Sequence, residues 1–234
     1  AVLAAVDDEK LPHEIALTAK LLRYYADAWA GDAERYWLAC DPNGCLFYAP
    51  FVQTAYCGGF LFNGFRQVLG EFRFEQEGDG ERYLIVLTGL ARLLRQIHER
   101  TQGQAERGIR IHKPQLPASR ALLAGLRAVA AAAYPVSAER LKALPDAVEI
   151  EATIRRRVEQ KILPAFDALI AQLDDKYEAL APDGVGMAAL PGRREVYAGL
   201  ARMHTTMDLT PEQVHAAGHE CIARIEAQIA QLRD

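Results

Sequence analysis

The chain has 234 residues, half of them hydrophobic and a quarter charged, with a formal net charge of -4. That composition excludes a disordered polypeptide and is enough for one large domain or two small ones with a substantial core. It also argues against nucleic acid as a partner, because phosphate binding needs a concentrated basic face. The densest basic run, Arg155-Arg156-Arg157, lies among Glu149, Glu151 and Glu159, the pattern of a solvated helix surface.

The first six residues are apolar and are followed by Asp7, Asp8 and Glu9. This run is too short to span a membrane and lacks the basic leader of a signal peptide, and no other stretch is read as a membrane span. Ala1 is not an initiator methionine, so a trimmed or processed start is expected. The expected location is cytoplasmic, with an exported one left open.

From residue 11 to 38 the apolar positions Ile15, Leu17, Leu21, Leu22, Tyr25 and Trp29 make an amphipathic helical stripe, which Asp41-Pro42-Asn43-Gly44 stops. Residues 45–74 are rich in aromatics and read as a loop followed by a buried helix, with a hairpin as the competing reading. The turn Glu77-Gly78-Asp79-Gly80 ends it. Residues 82–106 carry Leu84, Leu87, Leu90, Leu94 and Ile97 at helical spacing, and Gly108 is placed as the C-terminal stop.

Residues 109–117 read as an extended loop, since Lys113 precedes a proline, and mark the one candidate seam in the chain. An alanine-rich helix follows over 116–134, ending before Pro135, and Ser137 is placed to cap a short helix. Asp146 and Glu149 then make a capping-box pattern for a long helix to about residue 180, which Pro164 kinks or breaks. Helices are expected over 193–203 and from Thr210-Pro211-Glu212-Gln213 onward, where an N-cap, a first-turn proline and a capping-box glutamine coincide. Almost no segment alternates with period two. The expected class is all-α, an irregular multi-helix array forming a single helical domain or fragment over residues 1–234.

Chemistry-bearing patterns are few. The four cysteines, Cys40, Cys45, Cys57 and Cys221, include no C-x-x-C pair, and reduced, mostly buried thiols are expected, although Cys57 could pair with Cys40 or Cys45. His13-Glu14 starts like a zinc-protease motif, but Leu17 stands where the second histidine is required. Gly58-Gly59 with Asn63-Gly64 lacks the Gly-Lys-Ser/Thr ending of a phosphate loop, and neither Ser119 nor Ser137 shows a local sign of activation.

The last helix says most. At a hundred degrees per residue Val214, Gly218, Cys221, Ile222, Ile225, Ile229 and Leu232 share one arc, read as its buried face. His215 and His219 stand one turn apart at the edge of that arc, with Glu226 further along. Two histidines at this spacing can share a metal, yet no third ligand is fixed, so no complete metal site is assigned. Before the helix, His204, Thr205, Thr206 and Asp208 could hold an anion at its N-terminus, or simply cap and bridge helices.

Several strings together resemble a known family: Gln104-Ala105-Glu106-Arg107-Gly108-Ile109 leading to Lys113-Pro114-Gln115-Leu116, then Leu190-Pro191-Gly192 with Tyr197. The most specific is Thr205-Thr206-x-Asp208-Leu209-Thr210-Pro211-Glu212-Gln213-Val214-His215-x-x-Gly218. They are similar to the bacterial family called domain of unknown function 885. The resemblance implies part of a larger helical fold like that of zinc metallopeptidases, a carboxypeptidase-like hydrolase with peptide substrates and zinc as the cofactor of the full-length family. It implies further that the zinc-binding helix lies downstream of the threonine–histidine string. This chain is then expected to be an amino-terminal, catalytically incomplete part without its own catalytic residues or cofactor. Thr205, Thr206 and His215 match family positions expected to contact substrate or support residues that do; His219 lies outside the matched pattern. The alternative is a non-catalytic helical binding or scaffold module. Either way, a helical layer lacking its neighbour should expose apolar surface and tend to self-associate.

Overall fold

The structure, a computed structural model, describes residues 6–30, 35–41, 48–184 and 186–233. Among them the chain is all-α, and the one β-type pairing is an isolated antiparallel bridge between Cys40 and Ala49. The residues group into two compact units, 37–191 and 1–36 with 192–234.

The larger unit is built around helix α3, Asp79–Glu106. Tyr83, Leu87, Leu90, Leu94 and Ile97 recur every three or four residues, so they line one side of the helix and are all buried. Against it pack α2 (Ala55–Glu71), on which α4 (Leu116–Ala133) lies, and α5 (Ala147–Arg157) and α6 (Leu163–Gln172), the last also packed on α4. Leu116 and Leu123 of α4, Ile154 of α5 and Phe166 and Leu169 of α6 complete the core, and the Phe62 and Phe166 rings lie 6.0 Å apart. Each such side chain contributes about 1.5–3 kcal/mol through burial. With the turn before it, the segment Lys113–Ala133 is long and apolar enough to cross a membrane by length and composition, a stretch that the sequence reading passed over. Here it packs against α2 and α6.

The long helix expected over 146–180 is three pieces. Proline at 164 has no N–H to give, and the backbone widens into a π turn over Val158–Ile162, with the Leu163 N–H donating to the Val158 carbonyl. The helix stops at Gln172, and a short α7, Asp175–Ala179, restarts where the Asp174 carboxylate accepts from the Tyr177 N–H. Asp146 makes no side-chain cap bond, so the expected capping box is not formed there.

The aromatic stretch divides. Phe51, Phe62 and Phe74 are buried, whereas Tyr56 and Phe60 are exposed on α2. Phe47 and Cys45 lie outside the described residues. Cys57 is buried, Cys40 half-buried and Cys221 exposed.

The smaller unit contains α1 (His13–Ala30), α8 (Arg193–Thr205) and α9 (Pro211–Arg233). Arg23 of α1 holds its first residues in place, donating to the Asp8 carboxylate and the Val6 carbonyl. The Tyr24 hydroxyl reaches the Met203 and Arg202 carbonyls near the end of α8, tying the two helices together.

Candidate functional site

Two places in the smaller unit bring chemistry-bearing residues together: the α8–α9 junction and a cavity between α1 and α8. At the junction, α8 ends on Thr206, whose φ of 57° places a β-branched residue in the left-handed region. Among the described residues it is the one non-glycine with positive φ. The Thr205 hydroxyl is occupied, donating to the Ala201 carbonyl at 2.8 Å and accepting from the Met207 N–H. The exposed Thr206 stands beside it.

The start of α9 forms as its sequence requires. The Thr210 hydroxyl accepts from the Gln213 N–H at 3.2 Å, and the Gln213 side-chain oxygen accepts from the Thr210 N–H at 2.8 Å. This is a reciprocal capping box. The Glu212 carboxyl is held below its usual range by the backbone N–H of its own residue and by the Thr210 hydroxyl. The N–H groups that would greet an external anion are thus largely taken up by the chain itself. Capping is what this first turn does.

His215 and His219 come together one turn further on. Their Nε2 atoms are 3.0 Å apart, their rings meet edge to face, and both side chains are exposed. The core-boundary position expected for His215 is not found. Nor is the buried face expected for α9: Ile222, Ile225, Ile229 and Leu232 are 55%, 50%, 45% and 87% exposed. Gly218 and Cys221 are exposed with them, and Val214 is half-buried. The periodicity correctly identified an apolar arc, but the main helix contact of α9 is with α8 and leaves that arc uncovered. The α1 stripe fares similarly, with Ile15, Leu17, Leu21, Leu22 and Trp29 all exposed.

The second place was invisible in the sequence. Tyr24, Asp27, Arg35, Gly199, Arg202 and Met203 line a cavity of about 330 Å³. Its residues are scattered along the chain, and none belongs to a local motif. It presents two guanidinium groups, a carboxylate and a phenol, a lining suited to polar, charge-bearing groups.

The structure also gives roles to the strings that carried the family resemblance. Gln104 is fully buried, and its side-chain N–H groups donate to the Trp37 and Pro50 carbonyls, each at 2.7 Å. The Arg107 guanidinium stacks 4.0 Å from the Trp37 ring centre. Gly108 takes the left-handed turn, φ 72°, that lets the Ile109 N–H return to the Gln104 carbonyl. Lys113 to Gln115 form a single 3-10 turn, rather than the extended loop expected, and Leu116 and Leu190 are core. These strings in the larger unit hold the fold.

Among the described residues no group of three or more His, Cys, Asp or Glu side chains is placed to hold a metal ion. Catalytic zinc requires about three protein ligands and an open position, so these residues do not fit that group. A family model described as "Bacterial protein of unknown function (DUF885)" matches residues 1–234. No curated protein and no solved structure matches the chain.

Proposed function

Because the chain belongs to the DUF885 family over its whole length, we propose that it forms the substrate-contacting part of a zinc-dependent, peptidase-like hydrolase. Thr205, Thr206 and His215 touch the substrate or support what does, and the catalytic metal is held outside the described residues. No hydrolytic step is assigned to these residues; their part is to bind and orient a peptide.

The observation that carries this reading is Thr206. A β-branched residue in the left-handed region costs about 1–3 kcal/mol, and such strain persists where surrounding structure and function require it. Glycine would relieve it, yet the chain places threonine there, with the side chain exposed within the family's most specific string.

The test is peptide hydrolysis by the native gene product supplied with zinc, comparing wild type with Thr206→Gly, Thr206→Ser and His215→Gln. The reading expects turnover by wild type and retention by Thr206→Ser. For Thr206→Gly and His215→Gln it expects a fall in kcat/KM of roughly tenfold, the scale of one lost hydrogen bond to substrate. Turnover unaffected by either of those two variants would overturn it.

Absence of turnover with every peptide would favour a second reading, a non-catalytic helical binding module that associates with its own kind. The exposed α9 stripe favours it, since contiguous exposed apolar surface marks interaction sites. Here sedimentation should show concentration-dependent association that Ile225→Glu with Ile229→Glu abolishes. A monomer at all concentrations would dismiss it.

A further inference from the structure

The His215–His219 pair has a geometry that the proposed function does not use. The two Nε2 atoms lie 3.0 Å apart on the exposed side of α9. With metal–nitrogen bonds of about 2.1 Å, that separation subtends an angle of about 90° at a shared ion, whereas a tetrahedral angle would need about 3.4 Å. A right-angle bite is the one that tetragonal Cu(II) and Ni(II) accept, and both stand high in the order of divalent affinities.

The surroundings permit it. His215 is the fifth residue of α9, beyond the first turn where the helix dipole opposes a cation most strongly. Ala216, Ala217 and Gly218 lie between the histidines in the chain, so no bulky neighbour there covers them. The capping box fixes the start of the helix that carries both histidines.

We propose that His215 and His219 form a surface site for a tetragonal divalent transition metal, Cu(II) or Ni(II). In the free pair one Nε2 donates its proton to the other. On binding, both Nε2 lone pairs turn to the ion and each neutral ring carries its proton on Nδ1. One ring thus changes tautomer while the Nε2 separation is kept, and water fills the remaining coordination positions.

The test is calorimetric titration of the chain with Cu(II), Ni(II) and Zn(II) salts alone, on wild type, His219→Ala, His215→Ala and His204→Ala. Alanine is the best helix former, so substitution on this exposed surface leaves α9 intact. A further variant, His219→Ala with Glu220→His, keeps the number of imidazoles but moves one about a hundred degrees around the helix. One Ni(II) per wild-type chain is expected, with copper tighter and zinc weaker than nickel. Losing even an outer partner of a metal ligand costs roughly 10–100-fold, so His215→Ala, His219→Ala and the moved-histidine variant should each bind at least about tenfold more weakly. His204→Ala should bind as wild type does. Equal binding by wild type and the moved-histidine variant, or no nickel binding by wild type, would overturn the site. Neither result bears on hydrolysis, because the readout is metal binding and His219 has no part in the proposed substrate contacts.

Discussion

Tyr83 offers a prediction in which one substitution changes sign with pH. Its ring is buried against Phe72 and Phe74, and its hydroxyl donates to the Tyr134 carbonyl at 2.9 Å. Burial, which penalises the phenolate, pushes its pKa from 10.0 up to about 12. Near neutral pH, Tyr83→Phe loses only the hydrogen bond and should destabilise the chain by about 1 kcal/mol. Above pH 10.0 the unfolded chain gives up this proton while the folded chain keeps it, so stability supplied by the neutral phenol is full below that pH and lost as pH rises through about 12. Phenylalanine has no proton to lose. Integrating the linkage, wild type forfeits about 1.4 kcal/mol relative to the variant by pH 11 and about 2.3 kcal/mol by pH 12. The two stabilities should therefore cross near pH 11, the variant being weaker below and stronger above. Urea unfolding followed by circular dichroism across this range measures the difference directly. A difference that stays constant from neutral to strongly alkaline pH would refute the argument, because it would mean that Tyr83 ionises equally in both states.

Two other expectations concern the larger unit. Gly103→Ala should destabilise although alanine gains about 1 kcal/mol of helix propensity, because the new Cβ would sit 2.5 Å from the Trp37 ring. Displacing that ring costs about 1–3 kcal/mol in overpacking and about 0.5–1 kcal/mol in its contact with Arg107, and a variant more stable than wild type in urea would contradict the packing described. Asp79 accepts from the Gln76 and Glu75 N–H groups and from Arg82, and these backbone bonds, ahead of the arginine, hold its pKa below 3.8. Its contribution is present above pH 3.8 and lost as pH falls through the lower, folded-state value, so wild type and Asp79→Asn should converge in urea midpoint on acidification; curves that stay parallel would dismiss the linkage.

Most of the helices were legible because their signals are local. The α3 period, Gly108 as its stop and the Thr210–Gln213 capping box all depend on residues within a turn or two of one another. The break in 146–180 was anticipated at Pro164, but the π turn was not, since it reflects how the backbone relaxes around a missing N–H. Burial was harder to read than periodicity. An apolar arc states that a helix has a side suited to contact, and it does not state whether a neighbour is there. The arcs of α3 and α9 look alike in sequence; one is the centre of the core and the other faces outward. The candidate site divides the same way. The histidine pair was found from its i, i+4 spacing, whereas the cavity joins Tyr24 to Arg202 and Met203 across 178 and 179 residues, beyond the reach of any spacing rule.

The roles of the family strings sharpen where function should be sought. Gln104, Arg107, Gly108, Leu116 and Leu190 are each accounted for by a hydrogen bond, a stacked ring, a left-handed turn or a place in the core. Their substitution would reduce activity of any kind by unfolding the larger unit, and so would reveal nothing about chemistry. Thr206 and His215 are different, because both are exposed, and neither is needed to satisfy a buried group. A strained, exposed threonine and an exposed histidine within one string have no comparable structural reason to be there. Loss of activity on changing them, with the urea midpoint unmoved or raised, therefore discriminates function from fold in a way that changing Gln104 cannot.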